Sequence, residues 1–260
     1  MLDLLNYLIN RKSATSNDLF ADLNSTCITQ PKINKACTDN SCKTCVDLCP
    51  SSAISIDSLD ENKKDIYINL GQCISCNLCI ENCNDEVLVP NFSTKTAVRN
   101  INDLNISSSA NQENLPFRGV KSNKDLTLFK KSLAIRVVST GCTACDLEVA
   151  ACFNPIFDAE RFGLSFVASP RMADALLVTG PCGLGMHEAI KNTYEAMPGP
   201  KLVIACGTCA ISGGLHKDGY YKTNGLSEIL PVDVFIPGCP PHPWSIIYGL
   251  MLAMNYELVE

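Results

Sequence analysis

The chain has 260 residues, 46% of them hydrophobic and 18% charged, enough to bury a core and to form one or two domains. A net charge of −6 excludes the clustered basic footprint that nucleic-acid binders carry. Sixteen cysteines in a chain this long, most of them in C-x-x-C spacings, point to metal cages in a reducing compartment rather than to a disulfide scaffold.

Residues 1–30 read as an N-terminal helical extension. The opening MLDLLNYLINRK has an acid at Asp3, no basic region before its short apolar run, no small-residue cleavage site and no twin arginine. No export signal is therefore expected, and the cytoplasm is the expected compartment. A helix over 1–10 that caps its own domain outweighs one that docks on a membrane. No apolar stretch reaches the ~18 residues of a spanning helix, and the longest, over 244–254, reads as a buried core helix.

Residues 31–90 form one cysteine-dense unit with β-prone runs at 53–56 and 66–70. Its thiols fall in two runs, Cys37-x4-Cys42-x2-Cys45-x3-Cys49-Pro50 and Cys73-x2-Cys76-x2-Cys79-x3-Cys83. A 4Fe-4S cube needs four thiolates converging on four irons, and tight C-x2-C-x2-C turns supply three from one loop. Over residues 33–90 this unit resembles bacterial-type ferredoxins. In two-cluster ferredoxins the fourth cysteine of each run crosses to the other cluster. The resemblance assigns Cys37, Cys42, Cys45 and Cys83 to one 4Fe-4S cluster, and Cys49, Cys73, Cys76 and Cys79 to a second. The gap after Cys37 is wider than the usual two residues, which leaves a three-iron cluster open there, and Asn84 stands where a proline usually follows the last cysteine. Zinc held by two four-cysteine groups is the competing reading.

Residues 91–130, rich in Asn and Ser and without periodicity, read as a linker. From 131 to 260 apolar strand-like runs (SLAIRVVST, LSFVAS, ALLVTG, KLVIACG, VDVFIPG) alternate with helical segments such as 186–197. That alternation predicts an α/β parallel-sheet domain, preceded by the small α+β ferredoxin-like unit. Ligands of such sheets bind outside the carboxyl ends of the strands, and GCTAC, GTC and GCPP follow three of those ends. Seven cysteines lie here, Cys142, Cys145, Cys152, Cys182, Cys206, Cys209 and Cys239, and spacing alone does not choose among them.

The segments GCTACDLE (141–148), SPRMADALLVTGP (169–181), YEAMPGPKLVIACGTCAISGG (194–214) and PVDVFIPGCPPHP (231–243) resemble the small-subunit family shared by nickel-iron hydrogenases and respiratory complex I. The resemblance implies a flavodoxin-like fold and a third 4Fe-4S cluster held by Cys142, Cys145, Cys209 and Cys239, with Cys182 and Cys206 beside it or in the core. Complex I carries adjacent cysteines at the first position, whereas Cys142-Thr143-Ala144-Cys145 follows the hydrogenase form. The GTCAISGG and GCPP loops resemble those of the single-cluster small subunits of energy-converting, formate-hydrogenlyase-like hydrogenases.

Taken together, the two resemblances imply an electron-transfer subunit with three 4Fe-4S clusters and its active site in a partner chain. The partner is a hydrogenase-type large subunit or, alternatively, a complex-I-like one without nickel. The complex would include membrane-embedded subunits, with this chain peripheral on the cytoplasmic face of the inner membrane. A stand-alone iron-sulfur redox module is the remaining alternative.

Glu148 occupies the family's acidic position after the second cysteine, which implies interface hydrogen bonding or proton transfer, against an ordinary surface carboxylate. Arg171 is weighed between a place near the third cluster and a structural salt bridge. His187, His216 and His242 form no metal-spaced group, and only His242 lies beside a cysteine loop. Gly207, Gly213 and Gly214 form no G-x-G-x-x-G fingerprint, so nucleotide binding is not expected. Cys27 and Cys152 read as small hydrophobes.

Overall fold

The computed structural model describes residues 20–24, 27, 29–37, 43–60, 63–83, 85–109, 129–217, 219–220 and 224–255. Cys42, the expected helix over 1–10 and the 110–128 part of the expected linker lie outside the described residues.

In chain order the first half contains β1 (Pro31–Ile33), α1 (Thr44–Asp47), β2 (Ile54–Asp60), β3 (Lys63–Asn69), α2 (Leu78–Glu81), β4 (Leu88–Pro90) and β5 (Asn105–Ser107). β1 pairs antiparallel with β4, Ile33 opposite Leu88, and so draws the two ends of the cysteine-rich segment together. β2 and β3 form an antiparallel hairpin in which the buried Ile54 and Ile68 face each other. β5 adds a third strand on the far side of β3.

β5 belongs to the Asn/Ser-rich stretch, and residues 91–109 are anchored rather than free. Ala97, Val98 and Leu104 are buried, Val98 bridges antiparallel to Phe235, and the Arg99 guanidinium donates to the carbonyl of Leu252. Three apolar anchors spaced irregularly along a polar segment leave no period for a sequence pattern to register.

The second half contains β6 (Leu133–Ser139), α3 (Ala144–Ala151), β7 (Leu164–Phe166), β8 (Ala175–Thr179), α4 (His187–Glu195), β9 (Leu202–Cys206), α5 (Thr208–Ser212), β10 (Val234–Ile236) and α6 (Pro243–Ala253). Its five strands are all parallel, in the order β10-β9-β8-β6-β7. Counted within the sheet this is 2-1-3-4-5, the flavodoxin-like order, whose switch point lies between β6 and β8.

β8, β9 and β10 are buried at every position, as expected of parallel strands covered on both faces. Alternate residues separate the faces. Leu177, Ile204 and Ile236 join Val149 of α3 and Ile246, Ile247 and Leu250 of α6 in one core. Leu176, Val178, Val203, Ala205 and Phe235 point the other way, into a core that also holds Ile33, Ile54, Ile66, Ile68 and Leu88. The cysteine-rich unit thus packs directly on the sheet module, and the two share one apolar core.

α6 is buried on nearly every side, matching the core helix read at 244–254. His242 caps it, its Nδ1 accepting from the Trp244 amide at 3.2 Å, and Pro243 takes the first helical position where its missing N–H costs nothing.

Candidate functional site

Parallel strands aim their carboxyl ends at one edge, and four of them here end in cysteine loops: Cys142 after β6, Cys182 after β8, Cys209 after β9 and Cys239 after β10. Cys145 lies in the first turn of α3, three residues after Cys142. Asp146 holds that helix to the edge by accepting hydrogen bonds from Ser139 and Thr179 at the ends of β6 and β8. Thr208 N donates to Gly238 O at 2.9 Å and ties the β9 loop to the β10 loop.

Cys142, Cys145, Cys209 and Cys239 lie within electrostatic reach of one another. The Cys145 thiol is pushed up to about 12 by burial and then by Cys209, Cys239 and Cys142. Cys209 is raised to about 11 by burial, then by Cys239 and Cys142. Cys142 and Cys239 are exposed, so the group faces out of the chain. The other three thiols of this half are fully buried. Cys152 Sγ donates to Glu148 O at 3.2 Å, and burial raises both Cys152 and Cys182 to about 12. They pack as small hydrophobes.

In the first half seven of the described thiols line two cavities. One, with about 340 Å³ of space partly open to solvent, is bordered by Cys49, Cys73, Cys76 and Cys79. The other, about 710 Å³ and likewise open, is bordered by Cys37, Cys45 and Cys83, together with Ile56, Ile66 and Val87. Each cavity takes thiols from both cysteine runs. Ser75 and Asn77 adopt left-handed conformations (φ 56° and 62°) that fold the C-x2-C-x2-C loop tightly. Backbone amides point at sulfur: Ala53 N donates to Cys49 Sγ at 3.2 Å and Ser75 N to Cys73 Sγ at 3.5 Å.

The donor sets suit a cationic group larger than an ion. Burial and then neighbouring thiols push Cys73 and Cys79 up to about 12, a penalty that bound iron would offset. Among the described residues no three His, Cys, Asp or Glu side chains converge closely enough to share one metal ion. Glycines keep the space beside sulfur open: a Cβ on Gly207 (φ 90°) would lie 2.5 Å from Cys145 Sγ, and one on Gly214 (φ 52°) 3.0 Å from Cys209 Sγ. These glycines escaped the sequence reading, which tested them only against a nucleotide fingerprint. Their signal was position, flanking the cysteine in GTCAISGG.

Neighbouring thiol sets lie within electrostatic reach of each other. Cys79 feels the charge of Cys45 across the first pair of sites, and Cys73 feels Cys239 across the second. Glu148 is half-buried on α3, and desolvation raises its carboxyl above the usual carboxylate range. Arg171 is exposed in the turn leading into the amino end of β8, the edge opposite the cysteine loops. His187 lies against Cys182 O at 3.0 Å and His216 is exposed.

Residues 142–253 match the family described as NADH ubiquinone oxidoreductase, 20 Kd subunit, and residues 36–87 match the 4Fe-4S dicluster domain family. The chain is 48% identical over 119 residues to a probable membrane-bound hydrogenase subunit of Pyrococcus furiosus, covering 46% of this chain and 71% of that one. It is 42% identical over 126 residues to formate hydrogenlyase subunit 7 of Escherichia coli, covering 48% of this chain and 49% of the relative. Against an NADH-quinone oxidoreductase subunit of a Geobacter species it is 44% identical over 126 residues, covering 48% and 74%.

Fold and thiol loops together define an iron-sulfur electron-transfer subunit of an oxidoreductase complex. The chain belongs to the 20 kDa subunit family common to nickel-iron hydrogenases and complex I, with a 4Fe-4S ferredoxin domain ahead of the family domain.

Proposed function

We propose that this chain is a three-cluster relay that exchanges electrons with a separate nickel-iron hydrogenase-type large subunit. The observation that supports the reading is that the thiol sets follow one another within electrostatic reach, Cys79 feeling Cys45 and Cys73 feeling Cys239. Cys37, Cys42, Cys45 and Cys83 would hold the first 4Fe-4S cluster, Cys49, Cys73, Cys76 and Cys79 the second, and Cys142, Cys145, Cys209 and Cys239 the third. Bound there, the clusters supply one-electron redox chemistry at potentials set by hydrogen bonds, charge and exposure.

The protein's own part is placement and tuning. The Ala53 and Ser75 amides donate to ligand sulfurs and stabilise their negative charge. Gly207 and Gly214 leave the third site its room. The domains 31–90 and 131–260 act as one packed body through their shared core. The partner docks at the edge where Cys142 and Cys239 are exposed. Leu147 (69% exposed) and Leu184 (54%), two residues beyond Cys145 and Cys182, give that edge the apolar surface a partner covers. Glu148, whose carboxyl pKa desolvation raises above its ordinary value, is the group there that exchanges a proton with the partner. Among the described residues no helix is long and apolar enough to cross a membrane; the same reading attaches the chain to a membrane face through partner subunits.

A complex-I-like partner without nickel is the second reading, favoured by the identity to the Geobacter NADH-quinone oxidoreductase subunit. Anaerobic affinity purification of the chain with its large subunit, followed by nickel analysis, tests the choice. A nickel-bearing partner is expected. A nickel-free partner would move the chain to the second reading, and no partner at all would overturn both.

A further inference from the structure

The loop of residues 70–73 opens the second cysteine run, and donors from elsewhere in the chain satisfy three of its four carbonyls. Gln30 Nε2 donates to Leu70 O at 2.7 Å, Ser212 Oγ to Gly71 O at 2.8 Å and Thr208 Oγ1 to Cys73 O at 2.8 Å. Thr208 and Ser212 stand four residues apart on α5, so they share one face of that helix. Cys209 lies between them in sequence. The helix that presents a thiol to the third site thereby also grips the loop that presents a thiol to the second.

The fit is close. Thr208 is 1% exposed and Cys73 9%. A Cβ on Gly71 would come within 2.9 Å of Ile211 Cγ2, so the loop can approach α5 only as glycine. Thr208 reaches a third element as well: its hydroxyl lies 3.2 Å from Gly238 O, next to Cys239. One hydroxyl proton serves one acceptor at a time, and the shorter contact is to Cys73.

We propose that Thr208 is the positioning residue that fixes the second and third clusters relative to each other, its hydroxyl bridging the Cys73 carbonyl to the peptide that continues into Cys209. The inference rests on the ligand assignment proposed above. The route it defines runs from Cys73 Cα through the carbonyl and one hydrogen bond to Thr208, then along the backbone to Cys209. Thr208 keeps its proton, and no bond would form or break along this route if clusters held at the two sites exchanged an electron.

Thr208→Val keeps the shape and removes the closer donor, leaving Cys73 O with only the longer 3.4 Å contact from Gln30 Nε2. Hydrogen exchange of the amides at 71–73 should accelerate about tenfold, the equivalent of losing one net hydrogen bond of about 1.4 kcal/mol. The magnetic interaction between the two reduced clusters, read by EPR, should weaken or broaden while iron content and each cluster's own g-values stay as in the unmodified chain. Thr208→Ser, which restores the hydroxyl, should recover both readouts. Unchanged exchange and unchanged spin coupling in a fully loaded Thr208→Val chain would overturn the proposal. If that variant does not fold, Ser212→Ala decides by the same readouts: faster exchange at 71–73 with weakened coupling supports the clamp, and native values of both overturn it. A chain without iron at the second or third site would sink the ligand assignment instead, and the exchange measurement, which needs no iron, would still decide whether Thr208 holds the loop.

Discussion

Replacing Gly207 with alanine tests the third site at its tightest point. Gly207 has φ 90° and ψ 156°, a region essentially restricted to glycine, where another residue costs about 1–3 kcal/mol. The added Cβ would sit 2.5 Å from Cys145 Sγ, more than an ångström inside ordinary contact. Overpacking of this kind costs a further ~1–3 kcal/mol, about 2–6 kcal/mol in all. The cheapest relief is for the Cys145 side chain to swing away, because β9 behind the loop is buried at every position. Gly207→Ala should therefore lose the third cluster and keep the other two, so iron falls from about twelve to about eight per chain and one EPR signal disappears. Gly185→Ala is the control, since a Cβ there meets nothing within 4 Å. Full iron loading and an unchanged spectrum in Gly207→Ala would refute the claim that Cys145 Sγ must stand where it does.

Cys209→Ser should remove only the third cluster's signal, and an unchanged spectrum would move that ligand to Cys206 or Cys182. Leu147→Asp should weaken retention of the large subunit by at least ~1 kcal/mol, about fivefold, in anaerobic pull-downs without changing iron content. Arg99→Met keeps the packed stem but leaves Leu252 O without its guanidinium donor, and should lower unfolding stability by about 1–3 kcal/mol in denaturant titrations. Stability should also fall in alkali. Burial raises the Cys152 and Cys182 thiols from 9.0 to about 12, so the stability they contribute is intact below pH 9 and lost as pH rises toward 12. Each would cost about 1.4 kcal/mol by pH 10. A flat denaturant midpoint from pH 8 to 10 would contradict this, and Cys152→Ala should flatten the slope.

What the sequence disclosed and what it hid depend on how local each signal is. Thiol spacing within one loop is a local pattern, so the 73–83 run could be read directly, and the continuous apolar runs 175–179 and 202–206 announced their buried parallel sheet in the same way. The proposed choice of Cys142, Cys145, Cys209 and Cys239 over Cys152, Cys182 and Cys206 depends on which loops share a strand edge and which thiols turn into the core. Strand order decides that, and no short window contains it. Family resemblance carried that information where spacing did not. The packing between the two modules was invisible for the same reason: Thr208, Ser212 and Gly71 are ordinary residues until a contact more than 130 residues away gives them a partner. Residues 91–109 were misleading in composition, since Val98 and Leu104 anchor a segment whose polar majority reads as tether.

The central claim, three 4Fe-4S clusters in one chain, is tested most directly by iron and acid-labile sulfide analysis of the anaerobically purified protein, combined with an EPR-monitored redox titration. The account predicts about twelve iron and twelve sulfide per chain, with three signals. Zinc with negligible sulfide, or no more than eight iron and two signals, would contradict it.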